Sequence, residues 1–300
     1  MNSSFKAILS DLEKNLTSPK RAVVAGAADS HVLEAVFAAQ DLGLVTSVLV
    51  GVPDQVIAVI EEHNYQNRSY ELIGTEADEN PSAVAVKLIR EGKGDFIIKG
   101  RMETRDLLKP ILNKETGLNK NGFITHFGYM QLEGYHKMLA ISDCAVIPYP
   151  SFDDKVKIIK AGVGALHKLG YEKPVIGVLC AAETVSPKMP ETEDAARLQQ
   201  MAETGEFGEA VVLGPISYDL ATRKESAEIK GYDSPYAGDV DMLIVPQMVT
   251  GNVMSKIWNA DAGNLMAGCL IGADIPIVLT SRSAGMDEKL NSILLCTILS

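Results

Sequence analysis

Two apolar runs decide the fold: Met242-Leu243-Ile244-Val245, stopped by Pro246, and Ile275-Pro276-Ile277-Val278-Leu279, which delivers Thr280-Ser281-Arg282. Each is short, rich in β-branched residues and bounded by turn signals, so both read as buried strands of a parallel sheet. The first leads through a Gly-containing turn, Thr250-Gly251-Asn252, into a helical stretch from about Val253 that carries Lys256. After the second, Gly285 and Asp287 lead into the last helix. In an open α/β sheet, ligands gather beyond the carboxyl ends of the strands. Asn252 and Lys256 from the first run, with Ser281 and Arg282 from the second, are therefore expected on one polar edge that carries the chemistry.

The rest of the chain follows the same rhythm. Ala22–Ala25 reads as a strand running into Gly26-Ala27-Ala28, with Asp29 or Ser30 capping a helix over Val32–Leu42. Strand Thr46–Val50 and a helix opened by Pro53-Asp54 continue a β-α-β-α order, which implies a parallel sheet with right-handed crossovers. The Gly26-Ala27-Ala28 turn lacks GxGxxG and reads as a tight strand–helix turn. After the helix Pro81–Glu91, strand Asp95–Ile98 ends in Lys99-Gly100-Arg101, with Thr104 beyond and a helix over Asp106–Leu112. Gly100 is expected to let the backbone approach a ligand between two cations, with the following helix dipole adding to the positive field.

Further on come strands Met138–Ser142, Pro174–Cys180 and Ala210–Leu213, the last ended by Gly214-Pro215. Helices Asp153–Leu169 and Asp194–Thr204 alternate with them, separated by a polar loop, Glu183–Glu193. Pro148 and Pro150 break the chain where it crosses into a second domain.

Composition narrows the function classes. Three hundred residues with 46% hydrophobic content supply one large or two ordinary α/β domains with a sizeable core. The net charge of −11 argues against general nucleic-acid or membrane binding, so any anionic ligand needs local counter-charge. No apolar stretch has the length of a membrane span. The segment Met1 to Leu16, carrying Lys6, Asp11, Glu13 and Lys14, reads as an amphipathic surface helix and not as a secretory signal. Four scattered cysteines without a CxxC pair suggest a reducing, cytoplasmic setting and no structural zinc.

Four segments in this order carry a specific likeness: Ser142-Asp143-Cys144-Ala145-Val146; Gly214-Pro215 to Asp219; Val245-Pro246 through Thr250-Gly251-Asn252 to Lys256; and Pro276 through Leu279-Thr280-Ser281-Arg282. The chain resembles the phosphate acyltransferases, the phosphate acetyl- and butyryltransferase family. Leu179-Cys180-Ala181-Ala182-Glu183 to Pro187-Lys188-Met189-Pro190, and Gly251-Asn252-Val253-Met254, look more like the butyryl branch.

The resemblance implies two α/β domains with largely parallel sheets and an interdomain cleft, similar to the isocitrate/isopropylmalate dehydrogenase architecture. On that layout residues 1–134 plus 271–300 form the first domain and 135–270 the second. It also implies acyl transfer between coenzyme A and inorganic phosphate, with CoA as a substrate, no bound prosthetic group, no metal, and a homodimer. The family's Ser-Arg pair falls on Ser281 and Arg282, its acid on Asp287 or Glu288, and its cysteine on Cys144.

The residue chemistry suits this reaction. A thiol that attacks an acyl phosphate needs a base, here Asp287 or Glu288, and phosphate oxygens need a cation fork. Arg282 supplies the fork because guanidinium binds phosphate through two parallel hydrogen bonds and keeps its charge. Ser281 donates to a carbonyl oxygen or the leaving sulfur; its duller reading is a helix cap. Lys99, Gly100, Arg101, Thr104, Cys144, Gly251, Asn252 and Lys256 are the expected contacts for CoA or phosphate, with Asn252 and Lys256 one helical turn apart. Two other classes fit the sequence less well. A dehydrogenase on the same architecture needs clustered metal ligands and a nucleotide loop, and the sequence has neither. A non-catalytic effector-binding or oligomerisation domain fits poorly with Ser281, Arg282 and an acid together.

Overall fold

The computed structural model describes residues 4–119, 122–281 and 283–300. From the N-terminus the chain runs α1 (Phe5–Asn15), β1 (Lys20–Ala25), α2 (Ser30–Asp41), β2 (Val45–Gly51), α3 (Pro53–Glu62), β3 (Glu71–Gly74), α4 (Pro81–Arg90), β4 (Phe96–Lys99) and α5 (Thr104–Ile111). It continues through β5 (Thr125–Gln131), β6 (Met138–Ser142), α6 (Phe152–Lys168), β7 (Val175–Leu179), α7 (Pro190–Glu203), β8 (Val211–Ile216), α8 (Tyr218–Thr222) and α9 (Lys224–Lys230). The last elements are β9 (Met242–Ile244), α10 (Met248–Ala260), β10 (Leu265–Ile271), β11 (Ile277–Val278) and α11 (Met286–Leu299).

The chain divides into two compact units. A terminal unit combines Phe5–Ile124 with Ala267–Ser300, and a middle unit is built from Thr125–Met266. The two apolar runs Met242–Val245 and Ile275–Leu279 thus serve different units: β9 lies in the middle unit and β11 in the terminal one.

In the terminal unit the strand order is β3-β2-β1-β4-β11-β10. β1 pairs in parallel with β2 and β4, β4 in parallel with β11, and only β10 runs antiparallel to its neighbour β11. From β1 the chain builds outward through β2 and β3, then returns to the other side of β1 with β4. That reversal makes the β1/β4 boundary a topological switch point, where the loops diverge and leave a crevice beyond the carboxyl ends. α2 is started by Asp29, whose carboxylate accepts a hydrogen bond from the Val32 amide at 3.1 Å. α11 is buried nearly all round because it packs on α2, β4 and β11, so it lacks the polar stripe of a surface helix. Its Ser292 is satisfied there, donating to Glu288 O at 2.6 Å and accepting from the Gly268 amide at 2.9 Å.

The middle unit has the order β5-β6-β9-β7-β8. β6, β9, β7 and β8 are parallel, and β5 is antiparallel to β6. α6 begins with a reciprocal capping box between Ser151 and Asp154. It lies close against β9 because Gly162 has no side chain; a Cβ there would come within 2.4 Å of Met242 Sδ.

Four local expectations are corrected. Thr250-Gly251-Asn252 is not a turn but belongs to α10, which starts at Met248. Gly214-Pro215 lies inside β8 instead of ending it. α7 starts at Pro190, within the stretch read as a polar loop, because Pro fits the first helical turn. Strands β5 and β10 are additions to the elements read from sequence.

Candidate active site

Beyond the carboxyl ends of β1, β4 and β11, at the switch point of the terminal unit, lies a cavity of about 680 Å³. The turn after β1 contributes Ala28, Asp29, Ser30 and His31; the turn after β4 contributes Lys99, Gly100, Arg101, Met102 and Glu103. Thr280 and Ser281 enter after β11, Lys289 from α11, and His63 and Glu62 from the end of α3. Of the residues expected to bind substrate, Lys99, Gly100, Arg101 and Ser281 therefore meet in one opening. Arg282 lies outside the described residues.

The turn geometry explains why the cations stand there. Gly26 adopts φ 78°, a left-handed conformation natural to glycine. Its carbonyl accepts from the Arg101 amide at 2.8 Å, and the Gly100 amide donates to Ala25 O at 2.8 Å. A Cβ on Gly100 would lie 2.1 Å from Gly26 O. Gly100 is thus required for the approach of two backbone turns, and it also lines the cavity. The consequence is still functional: the clamped turns fix Lys99 and Arg101 on either side of a buried pivot.

The cavity is mixed in charge. Lys99, Arg101 and Lys289 are balanced by Asp29, Glu62 and Glu103, but several of these groups have internal work. The Lys289 ammonium donates to the Ala284 carbonyl, and the Asp29 carboxylate holds the α2 amide. The Arg101 side chain is exposed and has no ion-pair partner among the described residues. Ser281 Oγ sits 3.0 Å from Ser283 Oγ. Arg101 and Ser281 can thus offer a guanidinium fork and a hydroxyl to an anionic ligand.

Asp287 is exposed in the first turn of α11 and does not line the cavity; Glu288 beside it is buried. Thr104 is the first residue of α5, also outside the lining. The sequence reading passed over His31, His63 and Lys289. The turn after β1 was the available signal for His31, since it follows a strand's carboxyl end. Lys289 lies in a helix with no sequence mark of facing an opening.

A second cluster occupies the corresponding strand ends of the middle unit. β6 runs into Asp143-Cys144, across a cis Ser142–Asp143 peptide. The buried Asp143 carboxylate accepts from the Ala145 and Val146 amides at 2.7 Å each, the His126 amide at 2.9 Å and Thr125 Oγ1 at 2.7 Å. Asn252 donates to the Cys144 carbonyl at 3.0 Å. A Cβ on Gly251 would lie 2.5 Å from Asp143 O and 3.0 Å from Cys144 Sγ. Gly251 therefore lets α10 lie against this segment. Cys144 is 2% exposed, and burial, then the Asp143 charge, push its thiol far above the usual range. Both causes favour the thiol over the thiolate, which works against a nucleophilic role. Lys256 is exposed, one turn beyond Asn252.

Asp219, the other motif acid, is held with Glu183 by Lys230, each at 3.0 Å, with Ser217 Oγ 2.7 Å from Asp219. These bonds to Ser217 and Lys230 keep both carboxyls below their ordinary range. They link the ends of β7 and β8 to α9.

A family model described as phosphate acetyl/butaryl transferase matches residues 5–297. The chain belongs to that family. Among the acetyl/butaryl transferases, a phosphate butyryltransferase from Clostridium acetobutylicum is 33% identical over 300 residues, covering 100% of this chain and 99% of the relative. A phosphate acetyltransferase from Rhizobium meliloti is 34% identical over 279 residues, covering 92% of this chain and 87% of the relative. Among solved structures, a branched-chain phosphotransacylase from Enterococcus faecalis V583 superposes with a TM-score of 0.83 at 27% identity, covering 93% of this chain and 98% of that one. Among the described residues no helix is long and apolar enough to cross a membrane, and no group of His, Cys, Asp or Glu could hold a metal ion.

Proposed function

We propose that the protein transfers a short acyl group between coenzyme A and inorganic phosphate, acyl-CoA + phosphate = acyl phosphate + CoA, with butyryl or a branched short chain favoured. The observation that carries this reading is the switch-point cavity, which gathers Lys99, Arg101 and Ser281 in a chain of this family. The preference for butyryl or branched chains leans on the full-length match to the butyryltransferase relative and on the branched-chain neighbour. Acetyl transfer is the second reading, favoured by the relative of that name.

In the acyl-phosphate direction a phosphate oxygen attacks the thioester carbonyl, and the CoA sulfur leaves as thiolate. Inorganic phosphate carries four oxygens and is anionic at neutral pH, so Arg282 and Arg101 hold it through charge-assisted hydrogen bonds. Ser281 donates to the carbonyl oxygen as negative charge develops there, which lowers the barrier only if the donor is already in place. In reverse, Asp287 takes the thiol proton, with Glu288 as the alternative base. Lys99 and Gly100 line the same cavity and add to the contacts for the anionic substrate. The same reading has CoA as a substrate with no bound prosthetic group, a homodimeric assembly and a cytoplasmic location.

The test is thiol release from acetyl-, butyryl- and isobutyryl-CoA in the presence of phosphate. Release fastest with butyryl- or isobutyryl-CoA is expected. Fastest release with acetyl-CoA selects the second reading, and none with any short acyl-CoA removes both.

A further inference from the structure

Lysine is almost never fully buried unless its charge is paired. Lys289 departs from that rule. It is 6% exposed, it lines the switch-point cavity, and it has no ion-pair partner among the described residues. Of the three N–H groups of its ammonium, one donates to the Ala284 carbonyl. None of the acids that line the cavity, Asp29, Glu62 and Glu103, forms an ion pair with it.

Its position adds to the anomaly. Lys289 is the fourth residue of α11, and helical side chains lean toward the N-terminus. Its ammonium is therefore carried back past Gly285 to Ala284, at the start of the helix. The helix dipole is positive there and favours an anion, whereas a cation suits the opposite end. The Ala284 amide in turn donates to the Ser281 carbonyl at 3.1 Å, which closes the turn after β11. A buried, unpaired ammonium, a helix N-terminus and the Ser281 turn thus converge beside one opening.

We propose that Lys289 binds inorganic phosphate, and the phosphoryl end of the acyl phosphate, through the N–H groups that Ala284 does not use. The inference deepens the acyl-transfer reading above and rests on it. Lysine serves phosphate as a point charge, where arginine serves it as a planar fork. The thioester carbonyl is neutral and calls for a hydrogen-bond donor, which Ser281 supplies in that reading. CoA is anionic too, but its phosphates lie at the far end of the pantetheine arm from the reacting sulfur. An ammonium held against the Ser281 turn therefore meets the reacting phosphate and not the nucleotide end. The Ala284 contact fixes where the ammonium stands, and the charge does the binding.

Thiol-release kinetics and calorimetric titration with inorganic phosphate, on wild type, K289Q and K289M, test this, with circular dichroism as the check of folding. Gln keeps an N–H donor for the Ala284 carbonyl without the charge, and Met keeps only an apolar stem. In both variants KM for phosphate should rise about tenfold, the loss of one charge-assisted hydrogen bond, while KM for butyryl-CoA stays unchanged. The calorimetric Kd for phosphate should weaken by the same factor, and the thermal midpoint of K289Q without phosphate should not fall. An unchanged KM for phosphate in a folded variant overturns the assignment and leaves acyl transfer standing. So does a rise for butyryl-CoA as large as that for phosphate, which would give the ammonium to the phosphates of CoA. A wild type that releases no thiol from any short acyl-CoA removes acyl transfer, and the titration then judges the site alone. Phosphate binding that K289Q weakens upholds it; absent or unaltered binding overturns it. If one variant misfolds the other decides, and if both misfold the ammonium is structural and the proposal fails.

Discussion

The terminal and middle units both present motif residues beyond the carboxyl ends of parallel strands, yet the two groups are physically opposite. After β4 and β11 the side chains stand around an open cavity, and Arg101 is exposed there with no ion-pair partner among the described residues. After β6 the groups next to the strand end are engaged: Asp143 accepts four hydrogen bonds, Cys144 is sealed under Gly251, and Asn252 is tied to the Cys144 carbonyl. Position at a strand end makes a residue available for ligand contact. Whether it is available in fact depends on how far the fold has already satisfied it. The open group is expected to govern turnover, and the closed group to govern stability and the setting of its segment.

The largest effect is expected at the guanidinium proposed above to hold phosphate. Arg282→Gln is expected to lower kcat by about 10²–10³-fold, the loss typical when a preorganised charge partner of the transition state is removed. The thermal midpoint should stay close to that of wild type. Kinetics near wild type would end the assigned role of this guanidinium.

The next effect tests the closed side. Asp143→Asn replaces two acceptor oxygens by one and turns an NH2 toward backbone amides that need acceptors. Leaving buried donors unsatisfied costs about 2–3 kcal/mol. A urea unfolding midpoint that does not move would mean that the network around Asp143 is not what holds this segment.

Arg101→Gln returns to the open side with a smaller effect. Loss of one charge-assisted contact raises KM for the anionic substrate by about tenfold while kcat changes little. A fall in kcat with unchanged KM would move Arg101 from binding to the chemical step, and would sharpen the contrast with Asp143.

Much of the frame was legible because strand and helix signals were strong and local. Asp29 caps α2, Pro53 and Pro81 open α3 and α4, and β6 coincides with Met138–Ser142. What escaped was decided by tertiary contact. Gly251 and Asn252 are turn formers by propensity, but a helix there gains the packing of α10 on Asp143 and Cys144, and that contact outweighs the roughly 1 kcal/mol penalty of a helical glycine. The packing role of Gly100 also escaped, since its partner is the Gly26 backbone, far away in sequence. β10 and β5 have turn glycines on both sides, Gly263 and Gly272 for the first and Gly122 and Gly134 for the second, but Gly268 inside β10, and His126 and Gly128 inside β5, weaken the strand pattern. Among the candidate site residues, cations next to a strand end could be found by rule; His63 and Lys289 could not, because they reach the cavity from helices.

Cys144→Ala is the mildest change and the most discriminating for mechanism. A nucleophilic cysteine must be a thiolate part of the time, and the surroundings of Cys144 work against that twice. Burial removes the water that would solvate S⁻, and the neighbouring Asp143 charge repels it, so the thiol is held well above its ordinary range. Cys180, shifted to about 12 by burial, is no better placed. With the thiol protonated through neutral and mildly alkaline pH, direct transfer between CoA and phosphate is the route left to the enzyme, and removing Sγ should keep turnover within about threefold of wild type. The native protein should likewise leave its cysteines unlabelled by a thiol reagent at pH 8 until it is unfolded. Complete inactivation of the alanine variant, or an acyl group trapped on Cys144 of the native enzyme, would show that the closed group opens during the reaction, and the contrast between the two strand ends would then describe a resting state only.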